Sequence, residues 1–150
     1  HVFDLLELDG NNLRPLPSEH GNRFVAGNLE VIQGDLFEVD AETLGQCSAI
    51  YDRAALIAMP APMRRRYADD VCAKLPPDSR GLLITLEYPQ QEMHGPPFSI
   101  DASEVQRLFG RDWQVQLRER QDILHSQPIP SQYNVTTLST AVYALQRLPS

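Results

Sequence analysis

Short apolar runs that end in polar residues recur along the chain and predict its strands. "NLEVIQGD" (Asn28 to Asp35) and "CSAIYDR" (Cys47 to Arg53) have the length of strands, and each ends at a charged residue. "RGLLITLEY" (Arg80 to Tyr88) is apolar almost throughout, which predicts a strand that is covered on both faces. Apolar and polar residues alternate in "DWQVQLRER" (Asp112 to Arg120), and a last apolar run, "LSTAVYALQRL" (Leu138 to Leu148), follows it.

A repeat of four in the apolar positions predicts a helix between the second and third of these strands. The stripe consists of Met63, Tyr67, Val71 and Leu75, and a Pro-Pro pair follows it. Three consecutive arginines at positions 64–66 fall beside the stripe. We interpret them as a solvated helix face rather than as a basic binding patch.

The remaining segments complete the predicted fold. "DASEVQRLFG" (Asp101 to Gly110) begins with Asp and Ser and ends at Gly, as helices commonly do. Residues 1–8 form an apolar run that predicts another strand, and "DGNNLRPLPSEHGN" (Asp9 to Asn22) has the Gly, Asn and Pro content of a loop. This order predicts an α/β fold, a single domain over residues 1–150, with a C-terminal antiparallel hairpin.

Composition narrows the classes of function. The net charge of −7 gives no electrostatic footprint for nucleic acid. No apolar stretch reaches the roughly 18 residues that a membrane span needs, and the N-terminal residues lack the basic region of a secretory signal. Cys47 and Cys72 have no metal-ligand spacing, and the four histidines are scattered. We therefore predict a cytoplasmic protein with reduced, structural cysteines and no metal.

Polar residues at the predicted strand ends are the candidates for ligand binding, because open α/β sheets bind ligands outside the carboxyl ends of their strands. Three clusters fall there: Gly34-Asp35, Asp52-Arg53 and Glu87-Tyr88. An aspartate at such a position can accept hydrogen bonds from an adenine amino group or a ribose hydroxyl, and an arginine can hold a carboxylate with two hydrogen bonds. Each aspartate is also a natural cap for a following helix, and Asp52 with Arg53 is equally compatible with a surface salt bridge.

Five blocks of sequence resemble the thiopurine S-methyltransferases, particularly those of bacteria. In chain order they are "GDLF", "YDRAALIAMPAPMRRRY", "RGLLITLEY", "GPPF" and "EVQRLFG". The resemblance extends from about Arg23 to Leu148. It implies a Rossmann-like methyltransferase sheet with helices on both faces, S-adenosylmethionine as cofactor, and methyl transfer to the sulfur of a small thiol. In bacterial relatives the acceptor also includes small selenium or tellurium compounds.

The resemblance also assigns site residues. It places Asp35 and Leu36 along the adenine of the cofactor and Arg53 where cofactor and substrate meet, which makes Arg53 the candidate catalytic residue. The "GPPF" loop, consisting of Gly95, Pro96, Pro97 and Phe98, walls the substrate pocket. Since the sulfonium of the cofactor activates its own methyl group, the protein mainly has to place the thiol in line with that group. Arg53 can favour the thiolate, which is the better nucleophile, and Asp52 either orients Arg53 or caps the next helix.

The N-terminal part departs from the family pattern. Family members begin with a strand and a glycine loop of the type "VPLCGKS", which holds the methionine part of the cofactor, and this sequence has no such loop. We therefore expect the chain to be incomplete at its N-terminus and to bind S-adenosylmethionine weakly as written. Glu7 matches the family's acidic residue for the ribose hydroxyls. The segment around Ser126, "HSQPIPSQ", lacks the basic residue with which family members contact substrate.

A second class of function stays open from the sequence alone. A methyltransferase fold that has lost cofactor binding would serve as a non-catalytic interaction domain. The upstream reading frame distinguishes the two classes, since a glycine loop there favours the enzyme. The oligomeric state has no signature in the sequence.

Overall fold

The computed structural model describes residues 16–18, 21–126, 128 and 133–149. Within these residues seven strands form two separate sheets, one of three strands and one of four. The chain divides after Asp40 into two compact units, each of which contains one of the sheets.

The first unit contains a three-stranded antiparallel sheet. Its strands are β1 (Leu16–Ser18), β2 (Gly21–Ala26) and β3 (Leu29–Gln33), in the order β1-β2-β3. The predicted strand ending near Asp35 is confirmed, but the loop predicted over Asp9–Asn22 is wrong where the structure describes it. The prolines and glycine argued against strand, yet β1 lies at the edge of this sheet, where a proline is tolerated.

A tight turn connects β2 to β3. Gly27 has a φ of +57°, a left-handed conformation that glycine adopts without strain. After β3 the chain makes a short 3-10 turn over Leu36–Glu38, and Asp35 caps its start.

The second unit contains the larger sheet. Its strands are β4 (Ala49–Asp52), β5 (Arg80–Glu87), β6 (Trp113–Asp122) and β7 (Ser139–Arg147), in the order β4-β5-β7-β6. β4 and β5 are parallel, whereas β7 runs antiparallel to both of its neighbours. The predicted α/β class and the C-terminal antiparallel hairpin are confirmed. The carboxyl ends of β4, β5 and β6 share one edge of this sheet with the start of β7.

Four α-helices lie between strands in the part of the chain that the structure describes. They are α1 (Ala41–Gly45), α2 (Ala55–Ala58), α3 (Ala61–Arg66) and α4 (Ala102–Phe109). α3 continues as a wider π turn over Tyr67–Val71 and a tighter 3-10 turn over Cys72–Lys74. The helix predicted from "DASEVQRLFG" corresponds to α4, and the acidic residue before it caps its first turn as expected.

The core of the second unit lies on one face of its sheet. Alternate residues of the strands are buried there together with side chains of α2, α4 and the turns after α3; they include Leu56, Tyr67, Leu83, Val105, Leu108, Phe109, Trp113, Tyr143 and Leu145. On the other face Tyr51 is 64% exposed and Leu82 is 40% exposed. Ile84 and Leu86 on that face are partly buried, and Leu86 packs against a buried cluster of Tyr88, Ile123 and Leu138. Among the described residues, β5 is therefore covered on one face and only partly on the other.

The apolar stripe of the helical segment is only partly buried. Tyr67, Val71 and Leu75 lie in the core, but Met63 is 39% exposed. The segment changes from α to π to 3-10 geometry, so residues four apart do not stay on one face. The arginine triplet is also not a uniformly solvated face: the side chain of Arg66 is 61% exposed, whereas that of Arg64 is only 11% exposed.

Candidate active site

Asp52 closes β4 and caps the helix that follows. Its carboxylate accepts hydrogen bonds from the backbone amides of Ala55 at 2.9 Å and Leu56 at 3.2 Å, and the residue is only 5% exposed. A carboxylate that is used in this way stabilises the first turn of α2. Of the alternatives left by the sequence, helix capping is therefore the one that the structure shows for Asp52.

Arg53 has the opposite environment. The side chain is exposed, and it forms no ion pair or hydrogen bond with any residue that the structure describes. Within that part of the chain, the surface salt bridge between Asp52 and Arg53 is thus absent. Because the backbone at Arg53 lies between the end of β4 and the capped start of α2, a solvated guanidinium is held at the carboxyl edge of the sheet.

Buried groups lie behind Asp52. Tyr67 is 4% exposed and Cys72 is 1% exposed. Burial raises the pKa of the Cys72 thiol to about 12, and burial together with the nearby Cys72 and Asp52 raises the pKa of Tyr67. Both groups are therefore protonated at neutral pH, and Cys72 is a structural residue rather than a nucleophile. Cys47 is exposed and Cys72 is buried, and the structure shows no disulfide between them.

The "GPPF" loop is attached to the same helix that Asp52 caps. The backbone amide of Phe98 donates to the carbonyl of Ile57 in α2 at 2.6 Å. Gly95 has a φ of +78°, and a Cβ atom there would lie 2.7 Å from the ring of Phe98. Only glycine allows this approach, so the ring of Phe98 rests against Gly95.

Side chains at the end of β5 hold the two flanks of the loop. The hydroxyl of Tyr88 donates to the carbonyl of Pro97 at 2.6 Å, and the amide of Gln90 donates to the carbonyl of Met93 at 2.7 Å. The amide oxygen of Gln90 in turn accepts from the backbone of Ser99 at 3.0 Å. Burial raises the pKa of Tyr88 further above neutral pH, where a tyrosine hydroxyl is already a donor. The loop is therefore ordered by local hydrogen bonds.

Glu87, the third candidate at a strand end, is bound by an arginine two strands away in the sheet. It accepts two hydrogen bonds from Arg120 on β6, at 2.7 and 3.0 Å, and the hydroxyl of Tyr143 lies 3.4 Å from it. Burial, followed by the charge of Glu87, raises the pKa of Tyr143 to about 12. Glu87 thus has a structural partner that the local sequence does not reveal.

Beside the loop lies an open concavity of about 540 Å³. It is lined by residues of α3, of the segment between β5 and α4 outside the "GPPF" loop, and of α4: Ala61, Arg64, Tyr88, Gln90, Ser99, Asp101, Ser103, Glu104 and Arg107. Arg64 was not among the sequence candidates. Its only signal was its place in the arginine triplet, and that pattern does not distinguish Arg64, whose side chain is 11% exposed, from Arg66, whose side chain is 61% exposed.

Asp35 and Leu36, the predicted adenine contacts, belong to the first unit. The Oδ1 atom of Asp35 accepts from the backbone amide of Phe37 at 2.9 Å, so the structure shows the capping role for this aspartate as well. Asp35 is nevertheless exposed, and its Oδ2 atom accepts no hydrogen bond from the part of the chain that the structure describes. Leu36 is 38% exposed. Glu7 and the predicted strand over residues 1–8 lie outside the described residues.

Metal ligands and membrane-spanning helices are both missing from the described part of the chain. No group of three or more His, Cys, Asp and Glu side chains there is arranged to hold a metal ion. Among the same residues, no helix combines the length and the apolar character that crossing a membrane requires.

Comparison with known proteins gives consistent matches. A family model described as "Thiopurine S-methyltransferase (TPMT)" matches residues 8–148. Thiopurine S-methyltransferase of Xanthomonas campestris pv. campestris (strain 8004) is 55% identical over 130 residues, which cover 87% of this chain and 60% of that protein. The enzyme of the same name from Bordetella pertussis (strain Tohama I / ATCC BAA-589 / NCTC 13251) is 50% identical over 142 residues, which cover 93% of this chain and 65% of that protein. The chain therefore spans less than two thirds of the length of these relatives.

A solved structure also matches. Described as "Conversion of a Disulfide Bond into a Thioacetal Group during Echinomycin Biosynthesis", it superimposes with a TM-score of 0.50 at 13% sequence identity. The match covers 77% of this chain and 54% of the other. At this level of identity the likeness supports the fold alone.

Proposed function

Because the chain belongs to the thiopurine S-methyltransferase family, we propose that it acts in the transfer of a methyl group from S-adenosylmethionine to the sulfur of a small thiol. The acceptor class includes selenols and related tellurium compounds, since a cation that favours a thiolate favours their anions in the same way. Two free cysteines support a cytoplasmic, reducing location within the same proposal.

The observation that carries this proposal is the environment of the Arg53 side chain. It is an exposed arginine at the carboxyl edge of the sheet, without a partner in the described residues. The helix that begins next to it is fixed at one end by Asp52 and carries the "GPPF" loop on the carbonyl of Ile57. A cation and a rigid wall are thus attached to one short helix, which is an arrangement that can orient a small anionic substrate.

Residues of this chain fit the adenine end of the cofactor that the family uses. When bound, S-adenosylmethionine supplies the activated methyl group. The exposed Oδ2 atom of Asp35 is an acceptor suited to an adenine amino group, and the exposed side chain of Leu36 offers apolar contact to a purine. Glu7 is the proposed acceptor for the ribose hydroxyls.

The chain's own groups then have simple tasks. The guanidinium of Arg53 stabilises the thiolate form of the substrate and orients it by charge-assisted hydrogen bonds. The loop of Gly95, Pro96, Pro97 and Phe98 excludes water from one side of the sulfur. No general base is required once the thiol has ionised, and the proton leaves to solvent.

A chimera tests the proposal. The matched stretch of the Xanthomonas campestris protein is replaced by the corresponding residues of this chain, and methyl transfer to 2-mercaptoethanol and thiophenol is followed with radiolabelled cofactor. We expect methylated thiol from the chimera, and a decrease of more than tenfold in kcat/KM when it carries Arg53→Ala, since a charge-assisted contact is worth about 1.5–3 kcal/mol.

The chimera also separates the two classes of function. A folded chimera that binds cofactor but methylates no thiol would contradict the proposal and favour a non-catalytic interaction domain. Equal rates with and without Arg53 would leave methyl transfer in place but remove Arg53 from the site.

A further inference from the structure

We propose that Arg64 is a positioning residue, which fixes the ring of Phe98 in the wall of the substrate pocket and thereby sets the size of the thiol that the pocket accepts. The inference about substrate size rests on the proposed function. The inference that Arg64 holds the ring can be tested without any turnover.

The environment of Arg64 is unusual for an arginine in a run of three. Its side chain is 11% exposed, and its Nε atom is buried without a hydrogen-bond partner among the described residues. Removing a guanidinium from water is costly unless charged or polar groups compensate. This cost singles out Arg64 from Arg66, which is 61% exposed on the same helix.

The acidic partner of Arg64 compensates only weakly for the cost of burying the guanidinium. One guanidinium nitrogen of Arg64 lies 3.5 Å from Glu104. Glu104, however, already accepts two hydrogen bonds of 2.8 Å from Arg107. The ion pair with Arg64 is therefore the longer and weaker of the two, and it does not by itself account for the burial of Arg64.

Among the described residues, the guanidinium also lies over the ring of Phe98. The central carbon of the guanidinium lies 5.7 Å from the ring centroid, within the range of a cation–π interaction. Elsewhere the ring touches Gly95, where a Cβ atom would lie only 2.7 Å away. Phe98 therefore has neighbours in Arg64 and in the backbone of its own loop.

Hydrogen bonds to other residues hold the backbone of the loop. Arg64 therefore acts on the ring of Phe98 and not on the backbone of the loop. The amide of Phe98 is held by Ile57, and the carbonyl of Pro97 is held by Tyr88. A change at Arg64 should therefore alter the orientation of the ring while the backbone of the loop stays in place. Because one methylene in a binding pocket changes selectivity by about tenfold or more, a reoriented ring should change which thiols fit.

The structural arm of the test uses this chain and no substrate. The aromatic resonances of Phe98 are recorded by NMR in wild type, in Arg64→Met and in the matched control Arg66→Met, and they are assigned with Phe98→Leu. We expect the ring signals to move in Arg64→Met and to keep their wild-type positions in Arg66→Met. Unchanged Phe98 signals in a folded Arg64→Met protein would overturn the proposal.

A second variant covers the case in which Arg64→Met does not fold. Arg64→Lys keeps the charge opposite Glu104 but loses the planar guanidinium that lies over the ring, so the same signals should move in the same direction by less. Phe98 signals at their wild-type positions in Arg64→Lys would then overturn the proposal.

The functional arm is a double-mutant cycle in the chimera, with the ratio of kcat/KM for thiophenol and 2-mercaptoethanol as readout. We expect Arg64→Met to change this ratio by about tenfold. In the Phe98→Leu background it should have no further effect, because Arg64 acts through the ring. Additive effects would overturn the role in selectivity. A wild-type chimera without turnover, combined with moved Phe98 signals, would contradict the proposed function and retain the contact of Arg64 with the ring.

Discussion

The ends of β3 and β4 use the same residue type for different purposes. Both strands are followed by a helical turn whose backbone amides are capped by an aspartate, Asp35 after β3 and Asp52 in the last position of β4. Asp52 is 5% exposed and holds two amides, whereas Asp35 is exposed and holds one. At β4 a separate residue, Arg53, carries the charge that faces solvent.

These two environments indicate how a strand end can be assigned to structure or to binding. A buried carboxylate that accepts two backbone amides cannot be exchanged without leaving buried donors unsatisfied. An exposed carboxylate with one accepted bond still has an oxygen to offer to a ligand. We therefore assign structure to Asp52, and we propose binding for Arg53 and both tasks for Asp35.

The largest expected effect follows from removing the buried cap. Asp52→Ala should lower the free energy of unfolding by about 2–3 kcal/mol, because it removes a cap and leaves amides at the start of α2 without acceptors. Urea denaturation followed by circular dichroism measures this change. The matched control is Asp35→Ala, for which we expect about 1 kcal/mol or less. Equal losses for the two variants would contradict the distinction between the strand ends.

The next effect concerns the exposed cap. Asp35→Asn keeps the size of the side chain and a capping oxygen, so the free energy of unfolding should change by less than about 0.5 kcal/mol. Cofactor affinity in the chimera should nevertheless fall several-fold while the saturated rate is preserved, because a contact at the adenine is uniform through the reaction. Calorimetric titration with S-adenosylmethionine measures the affinity. An unchanged dissociation constant would mean that Asp35 caps the helical turn and does not contact the cofactor.

Sequence alone predicted the parts of the fold that depend on local pattern. Strands β3 to β7 and helix α4 follow from apolar runs with clear ends, since burial on one face of a sheet or helix imposes the period. Strands β1 and β2 were not predicted, because the prolines and glycines before and within them favour a loop. The position of β1 at a sheet edge, where proline is tolerated, depends on the whole sheet and not on the local sequence. The π turn after Arg66 likewise depends on packing, so the exposure of Met63 could not be predicted.

The candidate site shows the same limit. The sequence predicted that Arg53 lies at a strand end. It could not predict that Arg53 forms no bond with Asp52, because neighbouring residues of opposite charge can either pair or stay apart. Glu87 and Arg120 are 33 residues apart in the chain, and Arg64 meets Phe98 across a similar distance. Contacts between residues so far apart follow from the topology of the sheet rather than from any local pattern.

A third aspartate cap allows a test by pH. Asp101 caps α4, and its pKa lies below the ordinary value mainly because it accepts from the backbone amide of Glu104. The stabilisation is complete above the unfolded pKa of about 3.9 and is lost as the pH falls through the lower folded pKa. Asp101→Asn keeps a neutral cap, so the stabilities of wild type and variant should differ by up to about 1 kcal/mol above pH 4 and converge in more acidic solution. A difference that stays constant from about pH 6 to pH 2 would contradict this.

The smallest effect on stability is expected for Arg53, and it is the sharpest test of the contrast between the strand ends. Arg53 is exposed, and none of the described residues pairs with it, so Arg53→Ala should change the free energy of unfolding by less than about 0.5 kcal/mol. The adjacent Asp52→Ala, one residue earlier, should cost several times more. Urea denaturation of the two single variants therefore distinguishes a structural residue from a residue that does not contribute to stability at neighbouring positions. If Arg53→Ala destabilised the chain by more than about 1 kcal/mol, the arginine would have a structural partner, and the decrease in methyl transfer expected of the chimera would no longer identify it as a substrate contact.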